Sequence, residues 1–185
     1  MGSSLLLWMT LAVLLFWGVG LYNRLTRMRA RAFGALGSVE KHLREYTELT
    51  REVPMNARSA SGYQPLVQRD GAIPHWALLL AELDALELAL KDVRQKPLDI
   101  EPMARLQQSM STLQRIWGGW LTLPGDLAGP AVPDELQARW TAITHRVETS
   151  RNGYNQIVLQ YNESLAQFPA RLIVGVMGVR PGGLL

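Results

Sequence analysis

Residues 150–169 read SRNGYNQIVLQYNESLAQFP, with Tyr-Asn at 154–155 and again at 161–162. An interval of seven is close to two turns of α-helix, so both pairs fall on one helical face. Trp140, Val147, Tyr154, Tyr161 and Phe168 share that heptad position, and Ile143, Ile157, Val158 and Leu165 fill in the stripe beside it. The pattern predicts a long helix with the tyrosines in its buried seam. It opens at Asp134 and Glu135, where the positive end of the helix dipole favours acids. Asn155 and Asn162 each follow their tyrosine by roughly 100° of turn. That places the two amides at the edge of the seam, where each can bond a neighbouring helix or face a partner.

The same alternation of three and four residues recurs upstream. Leu25, Met28, Ala32, Ala35, Val39, His42, Tyr46, Leu49 and Val53 form one seam. Trp76, Leu79, Leu80, Leu83, Leu86, Leu90 and Val93 form a second, ended by Lys96-Pro97. Met103, Leu106, Met110, Leu113, Trp117 and Trp120 form a third, with Pro102 suited to its first turn and Gly118-Gly119 softening its last. Pro-, Gly- and Ser-rich stretches at 54–74 and 124–133 read as loops. Four such helices make an all-α chain, an antiparallel bundle of about four helices whose first and last members are the longest.

The N-terminal helix has a second character. Residues 5–22 (LLLWMTLAVLLFWGVGLY) carry no charge and span roughly 27 Å as a helix, close to the hydrocarbon thickness of a bilayer. The run is preceded by a four-residue tail without basic residues and followed by an Arg-rich segment, the reverse of a cleavable signal. It is predicted to be a transmembrane helix that continues without a Pro or Gly-Gly break into the bundle. The expected organisation is a tail at 1–4, a span at 5–22, a bundle at 23–170 and an apolar tail at 171–185. Arg24, Arg27, Arg29 and Arg31 flank the span on its C-terminal side. By the excess of basic residues there, the N-terminus is expected outside and the bundle in the cytoplasm, a bundle on the outer side being the alternative. These arginines also suit anionic lipid head groups.

The net charge of +3 is local: residues 24–51 hold seven Lys or Arg against three Glu, and the remainder is close to balanced. Nucleic acid is not an expected partner. The chain has no cysteine, and its histidines, His42, His75 and His145, stand on different helices without a second histidine at a ligand interval. Glu82, Asp84 and Glu87 flank an apolar face and read as solvated surface. No phosphate loop, dinucleotide fingerprint or nucleophile elbow is present. No metal, cofactor or enzymatic role is expected.

Two ends of the chain together carry a resemblance. Arg151, Tyr154-Asn155, Val158, Tyr161-Asn162 and Phe168-Pro169, followed by a short apolar stretch, resemble the C-terminal signature of LemA family proteins. Tyr22-Asn23-Arg24-Leu25, just beyond the span, resembles the family's opening motif. Leu36 stands where the family has a tryptophan, Glu45-Tyr46 where it has paired arginines, and Leu49-Thr50-Arg51 where a proline motif begins. The resemblance implies a membrane-anchored, mostly antiparallel helical bundle, here a divergent member in the bacterial cytoplasmic membrane.

Assembly features complete the reading. Ala30, Gly34 and Ser38 recur every four residues on one helical face, as in close helix–helix contacts, or else mark a weakly specified stretch. Leu172–Val179 (LIVGVMGV) is too short to span a bilayer and can dock on the bundle, a neighbouring subunit or the membrane surface. The leading expectation is a membrane-anchored scaffold that self-associates or binds another membrane protein. The alternative is a lipid-binding module or a membrane-associated enzyme subunit.

Overall fold

The computed structural model describes residues 2–52, 75–122, 132–167 and 179–185, which form four helices and no strand. They are α1 (Gly2–Glu52), α2 (His75–Gln95), α3 (Ile100–Leu121) and α4 (Asp134–Ala166). The expected loops at 54–74 and 124–133 lie almost wholly outside the described residues, as do Phe168, Pro169 and the run from Leu172 to Gly178.

Cross-helix contacts fix the arrangement. Tyr46 bonds Thr144 and packs on Trp140, while Leu25 lies against Tyr161 and Leu165, so α1 and α4 are antiparallel. Ser109 bonds Glu82 and Arg105 pairs with Asp92, so α2 and α3 form an antiparallel hairpin. Arg94 pairs with Glu40 and Arg51 with Glu87, which seats α2 antiparallel on α1. Trp117 stacks on Trp140, which seats α3 antiparallel on α4. This is an up-down-up-down bundle.

The seams of the sequence are the core. Val39, Tyr46 and Leu49 of α1, Met103, Leu106 and Leu113 of α3, and Val147, Tyr154 and Val158 of α4 are all buried. Two differences arise where a seam of two residues per heptad is too narrow. Leu36, Leu43 and Thr50, themselves seven apart, are buried beside the expected seam of α1, because a helix touching both α2 and α4 must cover a wider arc than one seam. On α2, Leu80 lies on the exposed flank and Ala89 is buried in its stead. Gly118 and Gly119 do not end α3. The buried Trp117 and Trp120 on either side of them hold the last turn in place, with rings edge-on at 5.6 Å.

Among the described residues α1 runs on alone below this core. Its apolar stretch is long enough to cross a membrane, and none of the described residues covers it: Leu7, Trp8, Leu15 and Phe16 are all exposed, Phe16 at 85%. Apolar surface on every side of a helix suits lipid rather than water. Gly18, Gly20, Gly34 and Gly37 do not interrupt the helix. At its 51 residues, α1 is a rod of roughly 76 Å.

The Trp117–Trp140 stack, with centroids 4.1 Å apart and Tyr46 tilted onto Trp140 at 4.4 Å, closes the end of the bundle remote from the apolar stretch. Trp140→Ala is expected to cost about 3–5 kcal/mol by leaving a cavity between the Tyr46 and Trp117 rings. Thermal unfolding followed by far-ultraviolet circular dichroism checks this, and the melting temperature should fall by about 6–20 °C.

Candidate functional site

Both Tyr-Asn pairs converge on one object, the extended segment 179–185, which runs antiparallel to α4 in the groove between α4 and the α2–α3 turn. The Tyr161 hydroxyl donates to the Arg180 carbonyl at 3.2 Å. Asn162 then grips Gly182 on both sides: its amide nitrogen donates to the Gly182 carbonyl at 2.9 Å, and its oxygen accepts the Gly182 N–H at 2.7 Å. The pattern repeats three residues on. The Tyr154 hydroxyl donates to the Gly183 carbonyl at 2.8 Å, and Asn155 takes the Leu185 carbonyl and N–H at 2.7 and 2.9 Å.

The arithmetic of the two backbones explains the interval of seven. Seven residues of α-helix rise roughly 10.5 Å. Three residues of extended chain cover about 10 Å. Each Tyr-Asn pair therefore meets an equivalent pair of backbone positions, and a primary amide is the side chain that presents one donor and one acceptor at the spacing of a peptide group. The asparagines act as a substitute strand edge inside an all-helical protein. The element they hold is not a neighbouring helix but an extended segment of their own chain, which helical periodicity does not register.

The opposite wall is the α2–α3 turn. Leu98 sits at φ 69°, the left-handed region a leucine rarely adopts, with its side chain buried. This conformation turns its carbonyl to the segment, where it accepts the Gly183 N–H at 2.8 Å. The fit leaves no room for a side chain at Gly183 and is tight at Gly182. A Cβ on Gly183 would lie 2.9 Å from the Ile100 Cα, and one on Gly182 would lie 3.0 Å from a Val158 methyl. Leu185 is buried in the core, whereas Pro181 and Leu184 face out. Val179 joins Leu21, Leu25, Met28, Tyr161 and Leu165 in a small apolar cluster below the main core.

Burial governs the titration of the clamp. It raises the Tyr154 hydroxyl well above its ordinary value and raises Tyr161 too, the latter opposed by the positive charge of Arg29. Both hydroxyls are thus neutral donors across the physiological range.

The other residues singled out in the sequence are not part of this site. Arg24, Arg27, Arg29 and Arg31 are exposed on α1. Arg24, Arg27 and Arg31 share a face, while Arg29 lies across the helix with its guanidinium 5.5 Å above the Phe33 ring. Tyr22 and Asn23 are exposed, the Asn23 carbonyl accepting from Arg27. Arg151 is half-buried and pairs with Glu148 at 3.0 Å. Ala30, Gly34 and Ser38 are exposed along one edge of α1. His42 is half-buried and bonds Glu45, whose carboxyl is raised by burial but lowered further by His42 and Arg146, ending below its usual value. Among Glu82, Asp84 and Glu87, expected to be solvated surface, Glu82 instead accepts the Ser109 hydroxyl at 2.6 Å. Among the described residues no cluster of His, Asp or Glu could hold a metal ion. A wide groove of about 680 Å³ between α1 and α4 is lined by charges of both signs that pair with one another, Arg44 with Glu40 and Arg146 with Glu45.

Comparison with known proteins bears on the same stretch. The LemA family matches residues 125–184, which include both Tyr-Asn pairs and the paired glycines. Neither a curated protein nor a solved structure matches the chain.

Two measurements test the clamp. Asn162→Ala and Asn155→Ala each strip two hydrogen bonds and strand a partly buried N–H and carbonyl, at an expected cost of about 2 kcal/mol apiece. The Asp replacements should be no better, because a carboxylate cannot donate to the segment's carbonyl. Equilibrium denaturation of the purified chain reads both. Stability should also depend on alkali with a definite sign. A tyrosine whose folded pKa lies above its ordinary 10.0 contributes stability that is fully present below that value and is lost as pH rises beyond it. Tyr154→Phe should flatten the fall in melting temperature above pH 10.

Proposed function

We infer, from the premise that the chain belongs to the LemA family, that it is a membrane-anchored scaffold that holds a helical interaction surface at a fixed height above the bilayer. The observation that carries this reading is the continuity of α1, which is one helix from its exposed apolar stretch to the far end of the bundle. A rigid rod transmits orientation: the bundle cannot tumble relative to the membrane as it would on a Gly/Ser linker.

The surface offered is mainly that of α1 itself. Ala30, Gly34 and Ser38 are exposed just beyond the apolar stretch, and a Cβ placed on Gly34 would meet nothing within 4 Å. Small residues on an open helical edge permit a second helix to approach closely. Copies confined to a membrane with aligned axes lose less translational and rotational freedom on meeting, so a modest face suffices. The reading is therefore a self-associating scaffold, or one that binds another membrane protein, with the bundle in the cytoplasm of a bacterial cell. The exposed arginines above the span contribute contacts to anionic head groups worth about 1 kcal/mol each, which stabilise the upright rod.

The absence of native cysteine gives a clean test of sidedness. Gln108→Cys places a thiol on the exposed side of α3. An impermeant maleimide should leave it unlabelled in intact cells and label it once the membrane is opened; labelling in intact cells overturns the cytoplasmic placement. For assembly, the detergent-extracted chain should show a protein mass above one protomer in light scattering. Gly34→Leu should lower that mass while leaving helicity unchanged.

A further inference from the structure

The geometry points to the clamp as a peptide-binding site for an extended Gly-Gly-x-Leu segment, one that exchanges its occupant, so that the C-terminal segment of a second copy can fill the groove of the first. The paired amides, the two hydroxyls and the Leu98 carbonyl all address backbone groups of residues 180–185, and no hydrogen bond of the clamp reaches a side chain of the segment. Such a site does not distinguish its own chain from another that presents the same backbone. Selectivity comes from shape. The position of Gly183 admits only glycine, that of Gly182 is tight against a Val158 methyl, and the second position beyond them enters the core as Leu185 does. Backbone bonds for affinity and spaced side-chain requirements for choice are the logic by which sheet edges capture peptides. Here a helix performs it.

The occupant follows from the sequence and from height. Gly-Gly occurs in this chain also at 118–119, but there it lies within α3. Residues 180–185 are thus the part of a second copy that fits. On the anchored reading, on which this placement rests, the rods of two copies stand at equal height, so the segment of one lies level with the groove of the next. The segment's own groove competes at an effective concentration of about millimolar order, and exchange in trans requires local crowding of the same order. Occupancy then reports density in the membrane.

A complementation pair tests this with full chains. The first carries Gly183→Val, which excludes its own segment and keeps the groove. The second carries Asn155→Ala with Asn162→Ala, which disables its groove and keeps the segment. Both carry Gly34→Leu, so that association through α1 is removed and a failure here is separable from a failure of the scaffold reading. Co-expressed under different tags in one membrane, the unlike pair should co-purify at least tenfold better than either like pair. Equal recovery of like and unlike pairs overturns the proposal, provided the Gly183→Val chain retains its helicity. If it does not, the wild-type chain decides. The peptide RPGGLL at millimolar concentration should speed hydrogen exchange at the Gly182, Gly183 and Leu185 amides several-fold by displacing the resident segment, and RPGVLL should not. Unchanged protection, or an equal effect of both peptides, overturns the exchange.

Discussion

An extended segment lodged against a helix has no strand beside it, and its backbone groups cannot be left dry. That constraint organises the lower half of this protein. The N–H and carbonyl of Gly182, Gly183 and Leu185, and the carbonyl of Arg180, all find partners, and those partners come from three elements of the bundle: two heptads of α4 and the turn at Leu98. Every unusual feature nearby serves that accounting. Leucine at a positive φ, a glycine without room for a Cβ and amides recurring at seven would each be a cost in isolation. Together they form one satisfied network, and a satisfied network in a poorly solvated place holds a single arrangement.

The clamp also decides how far the bundle extends towards the apolar stretch. The α2–α3 hairpin turns at residues 96–99, and among the described helices only α1 and α4 continue below that level. Two helices alone bury little on their outer sides. Leu21, Leu25 and Met28 of α1 meet Tyr161 and Leu165 of α4, and Val179 completes the cluster as a third contributor. The segment thus takes the place of the missing hairpin, which lets α1 stay packed almost to the start of its arginine cluster and makes the rod stiff where it leaves the bundle.

Much of this was legible from residue spacing. The four helices, their antiparallel order, the buried tyrosines and the long apolar start follow from heptads and from the uncharged run, because burial on a helix has a period that survives in sequence. The partner of Asn155 and Asn162 does not follow. Periodicity records which face of a helix is covered and is silent on what covers it, and RPGGLL has neither period nor apolar run to announce a buried element. The signal was present in another form: an amide beside each tyrosine, which packing alone does not require, and a Gly-Gly pair past the last helix, which loops alone do not require. Leu36 and Leu43 were missed for a different reason, since a single seam was read on a helix that packs against two neighbours.

The interval of seven also constrains what changes this site tolerates. Clamping at two points works only while helix rise and extended-chain reach stay in step, roughly 10.5 Å against about 10 Å. Inserting one residue between Tyr154 and Tyr161 rotates one pair by roughly 100° away from the groove. Inserting one residue between Gly182 and Leu185 leaves both pairs of α4 in place but shifts the segment by about 3.3 Å, so that the residue opposite Asn155 turns its N–H and carbonyl away. The two elements therefore have to keep a common register, and the family match at residues 125–184 takes in both α4 and the paired glycines. A segment hydrogen-bonded only through its backbone places few demands on most of its side chains. It places strict ones on its length, on Gly183 and on the leucine that enters the core.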